Sequence, residues 1–240
     1  MDPWLWLALF ILVAYTIEAV TGFGSIVIAL SLGAILLPIP ALLPVLVPLN
    51  ILMSGYLSVR HRRSIHWPTL LRLILPLMAA GTLAGYLVRP WLSASLLQIA
   101  FGVLIIWFAG RELWRMANNH VPRAHPAGVT RGLMLGAGLT HGLFASGGPL
   151  LVYALAGTRL DKARFRATLI AVWFTLNSLL TLIFLLDGSL ASAAPKLVWY
   201  IPLLVVGVLL GEWLHHRVNE QRFRQLVFAM LLVTGFALLV

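Results

Sequence analysis

Two ionisable residues sit inside long apolar stretches, each a few positions before a glycine-rich break. Glu18 precedes Thr21-Gly22-Phe23-Gly24-Ser25, and His141 precedes Ala145-Ser146-Gly147-Gly148-Pro149. At 1.5 Å per residue, Glu18 lies roughly 21 Å into its helix and His141 roughly 15 Å into its own, so neither is at a membrane surface. A carboxylate at that depth costs about 2.5–3.5 kcal/mol on insertion scales and needs a partner or a proton. Proton carriage is the chemistry that Glu18 suggests. His141 suggests holding an anion when charged, or relaying a proton. The plainer alternatives are an interhelical hydrogen bond for Glu18 and a neutral imidazole bonded to a carbonyl for His141.

The breaks themselves suggest anion binding. Glycine permits positive φ and lets a ligand approach the backbone. Pro149 suits the first turn of a helix, where no N–H is needed. Helices starting near Ser25 and Pro149 would aim free N–H groups and partial positive charge at the breaks, which suits an anion. The candidate anion-binding residues are Thr21, Gly22, Gly24, Ser25, His141, Ser146, Gly147 and Gly148, with a further hydroxyl from Thr140. Asn50 and Asn177, mid-span on the helices after each break, join them as groups for a substrate oxygen or an unwound carbonyl, or as interhelical glue. Glu18 and His141 are the candidate proton carriers. No cofactor, metal site or catalytic residue is expected. The chain has no cysteine, the histidines match no zinc spacing, and Glu18, His141 and Ser146 show no nucleophile geometry.

The elements that position these residues follow from composition and charge. Of 240 residues, 61% are hydrophobic and only 10% charged. Soluble domains carry about 45–50% apolar and about 25% charged residues, so lipid must be the solvent here. The net charge of +10 is split among loops, with no basic face to track phosphates, which argues against nucleic acid. Asp2 and the lack of an early Lys or Arg argue against a cleaved secretory signal.

Helical spans need about 20 apolar residues. The block Trp4 to Leu37 is too long for one span and is broken at residues 21–25; ordinary spans are expected near 41–59, 70–88 and 95–112. A polar linker over about 115–130 leads to a second broken block, Gly132 to Gly157, and to spans near 167–186, 197–216 and 224–240. The chain thus divides into a first repeat, 1–114, a cytoplasmic linker, 115–130, and a second repeat, 131–240, within one membrane domain. Pro76, Gly81 and Gly85 match Pro202, Gly207 and Gly211 at an offset of 126, Asn50 matches Asn177 at 127, and Glu18 and Gly24 match His141 and Gly147 at 123.

Of the 17 Lys and Arg, 15 lie in or beside four short gaps, around 60–72, 111–131, 159–166 and 217–224. Short loops keep such residues on the cytoplasmic side. The first repeat then starts outside and the second inside, with both termini outside. The expected fold is all-α and polytopic: two inverted-topology repeats, each a broken helical hairpin plus three transmembrane helices, the hairpins meeting near the midplane. Inverted repeats are a mark of secondary transporters. Trp4, Trp6, Trp91 and Trp199 are expected at the outer interface and Trp67 and Trp114 at the inner one.

The stretches Glu18-Ala-Val-Thr-Gly22-Phe-Gly24-Ser25 and Gly142-Leu-Phe-Ala-Ser146-Gly147-Gly148-Pro149, each at the start of a half, resemble the sulfite exporter TauE/SafE family of membrane transporters. The resemblance spans nearly the whole chain and implies a sulfur-containing anion such as sulfite, thiosulfate or sulfoacetate. The first break is poorer in glycine than the second, which leaves open whether both hairpins touch substrate. The reading is a non-enzymatic, multi-pass carrier of the bacterial inner membrane. It moves a small anion by alternating access, with protons as a candidate coupling ion, and self-association into a homo-oligomer is left open. An anion channel and, further off, an intramembrane hydrolase are the rivals. Labelling from the two sides should place the 38–40 bend in the periplasm and the 158–166 bend in the cytosol; either bend on the opposite side would contradict the inverted plan.

Overall fold

The computed structural model describes residues 2–21, 24–118, 125–155, 160–215 and 217–240. Gly22 and the side chain of Thr21 lie outside the described residues, as do His120 and Arg123 of the linker and Arg159. The described residues are helical, in the order α1 (Pro3–Thr21), α2 (Ser25–Gly33), α3 (Ile39–Arg60), α4 (Trp67–Thr69), α5 (Leu75–Val88), α6 (Ala94–Ala117), α7 (Ala127–Phe144), α8 (Gly148–Ala154), α9 (Lys162–Leu186), α10 (Ser189–His215) and α11 (Glu220–Ala237). A π-helical stretch, Leu70–Ile74, joins α4 to α5.

Both broken blocks are hairpins, α1 with α2 and α7 with α8, parted at the expected positions. Among the described residues, six helical runs are long and apolar enough to cross a membrane: Pro3–Val20, Ile39–Arg60, Trp67–Trp91, Ala94–Ala117, Ala163–Leu186 and Ser189–Leu214. They differ from the six ordinary spans expected by one exchange. α1, expected as a hairpin arm, qualifies. α11 does not, because Glu220, Arg222 and Arg224 occupy its first turns. Only 22% of the α10 span and 28% of the Trp67–Trp91 span is buried although both are apolar, as for helices that face lipid. Trp67, Trp91, Trp114 and Trp199 are exposed, and the first three stand at or near helix ends.

The chain packs as two compact units: Met1–Leu46 with Leu92–His120 and Ser192–Val240, and Val47–Trp91 with Val121–Ala191. Each draws on both halves of the sequence. The first holds the α1–α2 hairpin with α6, α10 and α11, around a core that includes Leu7, Ile11, Leu30, Phe101 and Phe228. The second holds the α7–α8 hairpin with α5 and α9, around Ile74, Met78, Met134, Ala137, Leu151 and Val172.

Glycines set the closest approaches. In the second unit, α5 and α7 lie side by side and parallel, with Gly81 against Gly138 and Gly85 against Gly142. A Cβ on any of the four would come within 3 Å of a facing backbone carbonyl. In the first unit, Gly207 and Gly211 of α10 rest on Leu12 and Thr16 of α1, again in parallel register. Small residues spaced by four let membrane helices approach closely, and dispersion between the backbones then holds them, since lipid offers no hydrophobic drive. The α6–α11 pair is antiparallel: Gly102 meets Gly235, and Phe108 packs edge-on to Phe228 at 5.5 Å.

One polar tie closes the far end of the second unit. Tyr86 donates its hydroxyl to Asp187, and the Arg89 guanidinium lies 4.8 Å over the Tyr86 ring. Burial alone would raise the Asp187 carboxyl. Hydrogen bonds from Ser189 and Tyr86 and the charge of Arg89 outweigh it and hold the group below its ordinary range.

Overpacking costs about 1–3 kcal/mol in a tight contact. Gly85→Val and Gly142→Val should therefore lower the thermal unfolding midpoint of the solubilised protein. Gly132→Ala, with nothing within 4 Å of the new methyl, should leave it unchanged or raise it. Equal midpoints for all three would contradict the packing account.

Candidate functional site

In the first hairpin, a helix in apolar surroundings starts with N–H groups that have no intrahelical acceptor. Glu18 answers one of them. Its Oε2 accepts the Ser25 N–H at 2.9 Å, across the break. Gly24 makes the turn with φ of 102°, a conformation that L side chains rarely adopt. Glu18 is 5% exposed and Ser25 1%, and the buried Tyr15 lies beside both. A carboxylate at a helix N-terminus is favoured by the local dipole. Glu18 therefore caps the start of α2 across the break.

The second hairpin is built differently. α7 ends with Ala145 in the left-handed region, φ 51°, its N–H bonded to the His141 carbonyl at 2.6 Å. For a residue with a Cβ this costs about 1–2 kcal/mol. The expectation that glycines supply the positive φ thus holds for Gly24 but not here. Gly147 has φ of −76°, and its role is close approach: a Cβ there would strike the Ala137 carbonyl and come to 3.1 Å from the His141 Cβ. Pro149 stands in the first turn of α8, as expected. The Ser146 and Thr140 hydroxyls donate to the carbonyls of Phe144 and Ala137, both at 3.0 Å, so their protons are already engaged.

Around His141 the polar groups are not settled. The ring is fully buried and stacks on Trp173, centroids 5.9 Å apart and planes 22° apart. Gly148 faces the same Trp173 ring, at 3.5 Å for an added Cβ. Neither His141 ring nitrogen has a hydrogen-bond partner, and neither has the Asn177 Oδ1. The Asn177 side chain is the polar neighbour of the ring. Its Nδ2 donates to Asn50 Oδ1 at 2.7 Å. Trp173 and Asn177 are four residues apart on α9, which puts them on one face. Asn50 is 11 residues into the 22-residue α3, and Trp173 is 11 residues into the 25-residue α9, so this cluster lies at mid-helix.

The second unit thus brings together His141, Gly147, Gly148, Asn177 and Asn50 of the candidate residues, with Trp173 as the floor. Glu18, Gly24 and Ser25 belong to the first unit. The sequence reading did not single out Trp173, whose four-residue spacing from Asn177 was the available signal. It also passed over Glu112, which is 1% exposed and bridges Arg111 and Arg115 at 2.6 Å each. There the run Arg-Glu-Leu-Trp-Arg was the signal. Those contacts neutralise a buried acid near the end of α6. No group of three or more metal-ligating side chains is found among the described residues.

Helices throughout the described residues, six of them long and apolar enough to cross a membrane, are the build of a polytopic membrane protein. The family model for "Sulfite exporter TauE/SafE" matches residues 7–238, and the chain belongs to this family of membrane transporters, which is not an enzyme family. Among curated relatives, the chain is 25% identical over 230 residues to the "Probable sulfite/organosulfonate exporter TauE" of Cupriavidus necator, covering 92% of this chain and 88% of that protein. It is 26% identical over 197 residues to the "Probable inner membrane transporter protein TsaS" of Comamonas testosteroni, covering 80% and 78%. No solved structure matches.

Loss of the acceptor on the Ser25 N–H leaves a buried donor unpaired, which costs about 1–3 kcal/mol. Glu18→Ala should therefore unfold at a clearly lower temperature than Glu18→Gln, whose amide oxygen can still accept. Equal stability of the two variants would show that the cap contributes nothing.

Proposed function

We propose that this chain is a secondary transporter of the inner membrane that moves a small sulfur-containing anion, of the sulfite or organosulfonate kind, by alternating access. The anion is held in the second unit by His141 and Asn177, with Asn50 behind them and Trp173 beneath. The observation that carries this is the fully buried imidazole with both nitrogens unpaired beside an unpaired amide oxygen. Buried polar groups are nearly always partnered, so such a cluster calls for a missing polar guest. Family membership supplies the class of guest, and the names of the two relatives point to export across an inner membrane.

The helix directions support the inverted-repeat plan. α5 parallel to α7 and α10 parallel to α1 are what the charge-derived topology requires. Helices matched between the repeats, α6 with α11 and α3 with α9, run antiparallel where they touch. Asn50 and Asn177, matched in sequence, bond to each other, as two-fold-related residues near their axis would. Both termini are outside in this plan. Proton coupling, through Glu18 or His141, is part of the reading.

In vesicles loaded with sulfite, the reconstituted chain should give saturable flux. His141→Leu and Asn177→Leu should each reduce it by about tenfold or more, given roughly 1.4 kcal/mol per decade and the loss of a buried donor or acceptor. Substitutions of Gly147 test packing instead, because any Cβ there meets the Ala137 carbonyl. Flux that rises without saturation, or that both leucine variants leave untouched, would overturn the proposal.

A further inference from the structure

The first unit holds a cavity of about 310 Å³ between the start of α1 and the neighbouring stretch of α10. The two helices run the same way there. Gly207 and Gly211 rest on Leu12 and Thr16, and the Tyr200 hydroxyl donates to the Trp4 carbonyl at 2.9 Å. That register puts Asp2 level with Lys196, Trp4 level with Tyr200, and Ala8 level with Leu203, and all six line the cavity. At 1.5 Å per residue, Ala8 and Leu203 lie roughly 10 Å deeper than the two charges. The cavity thus has a charged, aromatic mouth and an apolar floor.

Its level matches lipid headgroups. α10 has 27 residues, roughly 40 Å of helix against about 30 Å of hydrocarbon, and Lys196 stands seven residues past its start. Trp199, which also lines the cavity, is 80% exposed, as in an interfacial aromatic belt. Lys196 is one of only two basic residues outside the four charged gaps. Its ammonium lies 4.3 Å over the Trp4 ring, and Asp2 Oδ1 accepts the Trp4 N–H at 3.0 Å. The two charges flank one tryptophan, yet they form no ion pair with each other. A lysine ammonium has three donors and a carboxylate about four lone-pair sites, so both keep capacity for a guest. Separate positive and negative groups in one cavity suit a zwitterion.

We propose that this cavity binds the headgroup of one phosphatidylethanolamine molecule. Its phosphate rests on Lys196, its ammonium on Asp2, and the first part of its acyl chains on Leu5, Ala8 and Leu203. The charges select among lipids. An anionic headgroup such as phosphatidylglycerol satisfies Lys196 but brings no cation to Asp2. A choline headgroup is a zwitterion, but its nitrogen has no N–H to give a carboxylate, and charge-assisted hydrogen bonds are the strong ones. The volume is that of a small-ligand site, enough for a headgroup and too little for a whole lipid. In the inverted plan this end faces the periplasm, so the lipid comes from the outer leaflet. The site stands apart from the anion pocket, which belongs to the second unit.

The test is native mass spectrometry of the solubilised 240-residue chain, titrated separately with phosphatidylethanolamine, phosphatidylcholine and phosphatidylglycerol carrying the same acyl chains. The first phosphatidylethanolamine should bind about tenfold more tightly than the first molecule of either other lipid, the difference of one hydrogen bond to a charged group. Lys196→Met should weaken phosphatidylethanolamine about tenfold. Asp2→Asn, which keeps an acceptor for the Trp4 N–H, should bring phosphatidylethanolamine close to phosphatidylcholine and leave phosphatidylcholine unchanged. Equal wild-type affinities for the three lipids would overturn the inference and leave Lys196 as a side chain that only snorkels. A wild-type preference for phosphatidylglycerol would overturn it too, and so would a preference for phosphatidylethanolamine that both variants keep. The wild-type comparison holds whether or not either variant folds.

Discussion

A helix broken inside a membrane must find partners for the polar groups that the break exposes, because lipid supplies none. That constraint governs both hairpins, and they meet it in opposite ways. In the first, Glu18 reaches across the break to the N–H of Ser25, and the acid and the helix start satisfy each other. In the second, the matched position carries His141, and the structure leaves its ring unpaired beside Asn177. The first hairpin thus pairs its own acid with a helix start, and the second leaves a buried imidazole without a partner.

The surroundings of His141 are closely packed. Gly81, Gly85, Gly138 and Gly142 bring α5 and α7 to backbone contact, and Gly147 presses the return of the hairpin against Ala137 and His141. Side chains on such a frame have little freedom to rearrange around an unmet imidazole. Stacking on Trp173 fixes the ring plane, and the bond between Asn177 and Asn50 fixes the amide so that its oxygen, rather than its nitrogen, remains unpaired. The left-handed Ala145 is a local cost borne by the same frame. Strain of this kind persists where surrounding contacts over-determine the backbone.

Much of the plan could be read from residue types alone. The two breaks, the positions of Pro76, Gly81 and Gly85 against Pro202, Gly207 and Gly211, and the polar residues at mid-span were all visible, because charged residues are scarce in this chain and the glycines and prolines recur at a constant offset. What could not be read was partnership. Nothing in the sequence separates a glutamate that caps its own hairpin from a histidine that caps nothing, since the difference lies in how each side chain reaches its break. In the second break the left-handed residue is Ala145, which has no turn signature, while Gly147 allows close approach to Ala137 and His141. α11 has the length of a span, but its charged first turns separate it from the apolar helices in a way that a window over 224–240 conceals.

The account turns on where the anion rests. Selenite has the shape and charge of sulfite and scatters anomalously, so a structure of the chain soaked with it locates the anion without assumption. One anomalous peak within hydrogen-bond distance of a His141 ring nitrogen, over the face of the pocket shared with Asn177, is the expected result. A peak at the Ser25 end of the first hairpin, with Glu18 displaced and the His141 pocket empty, would contradict it.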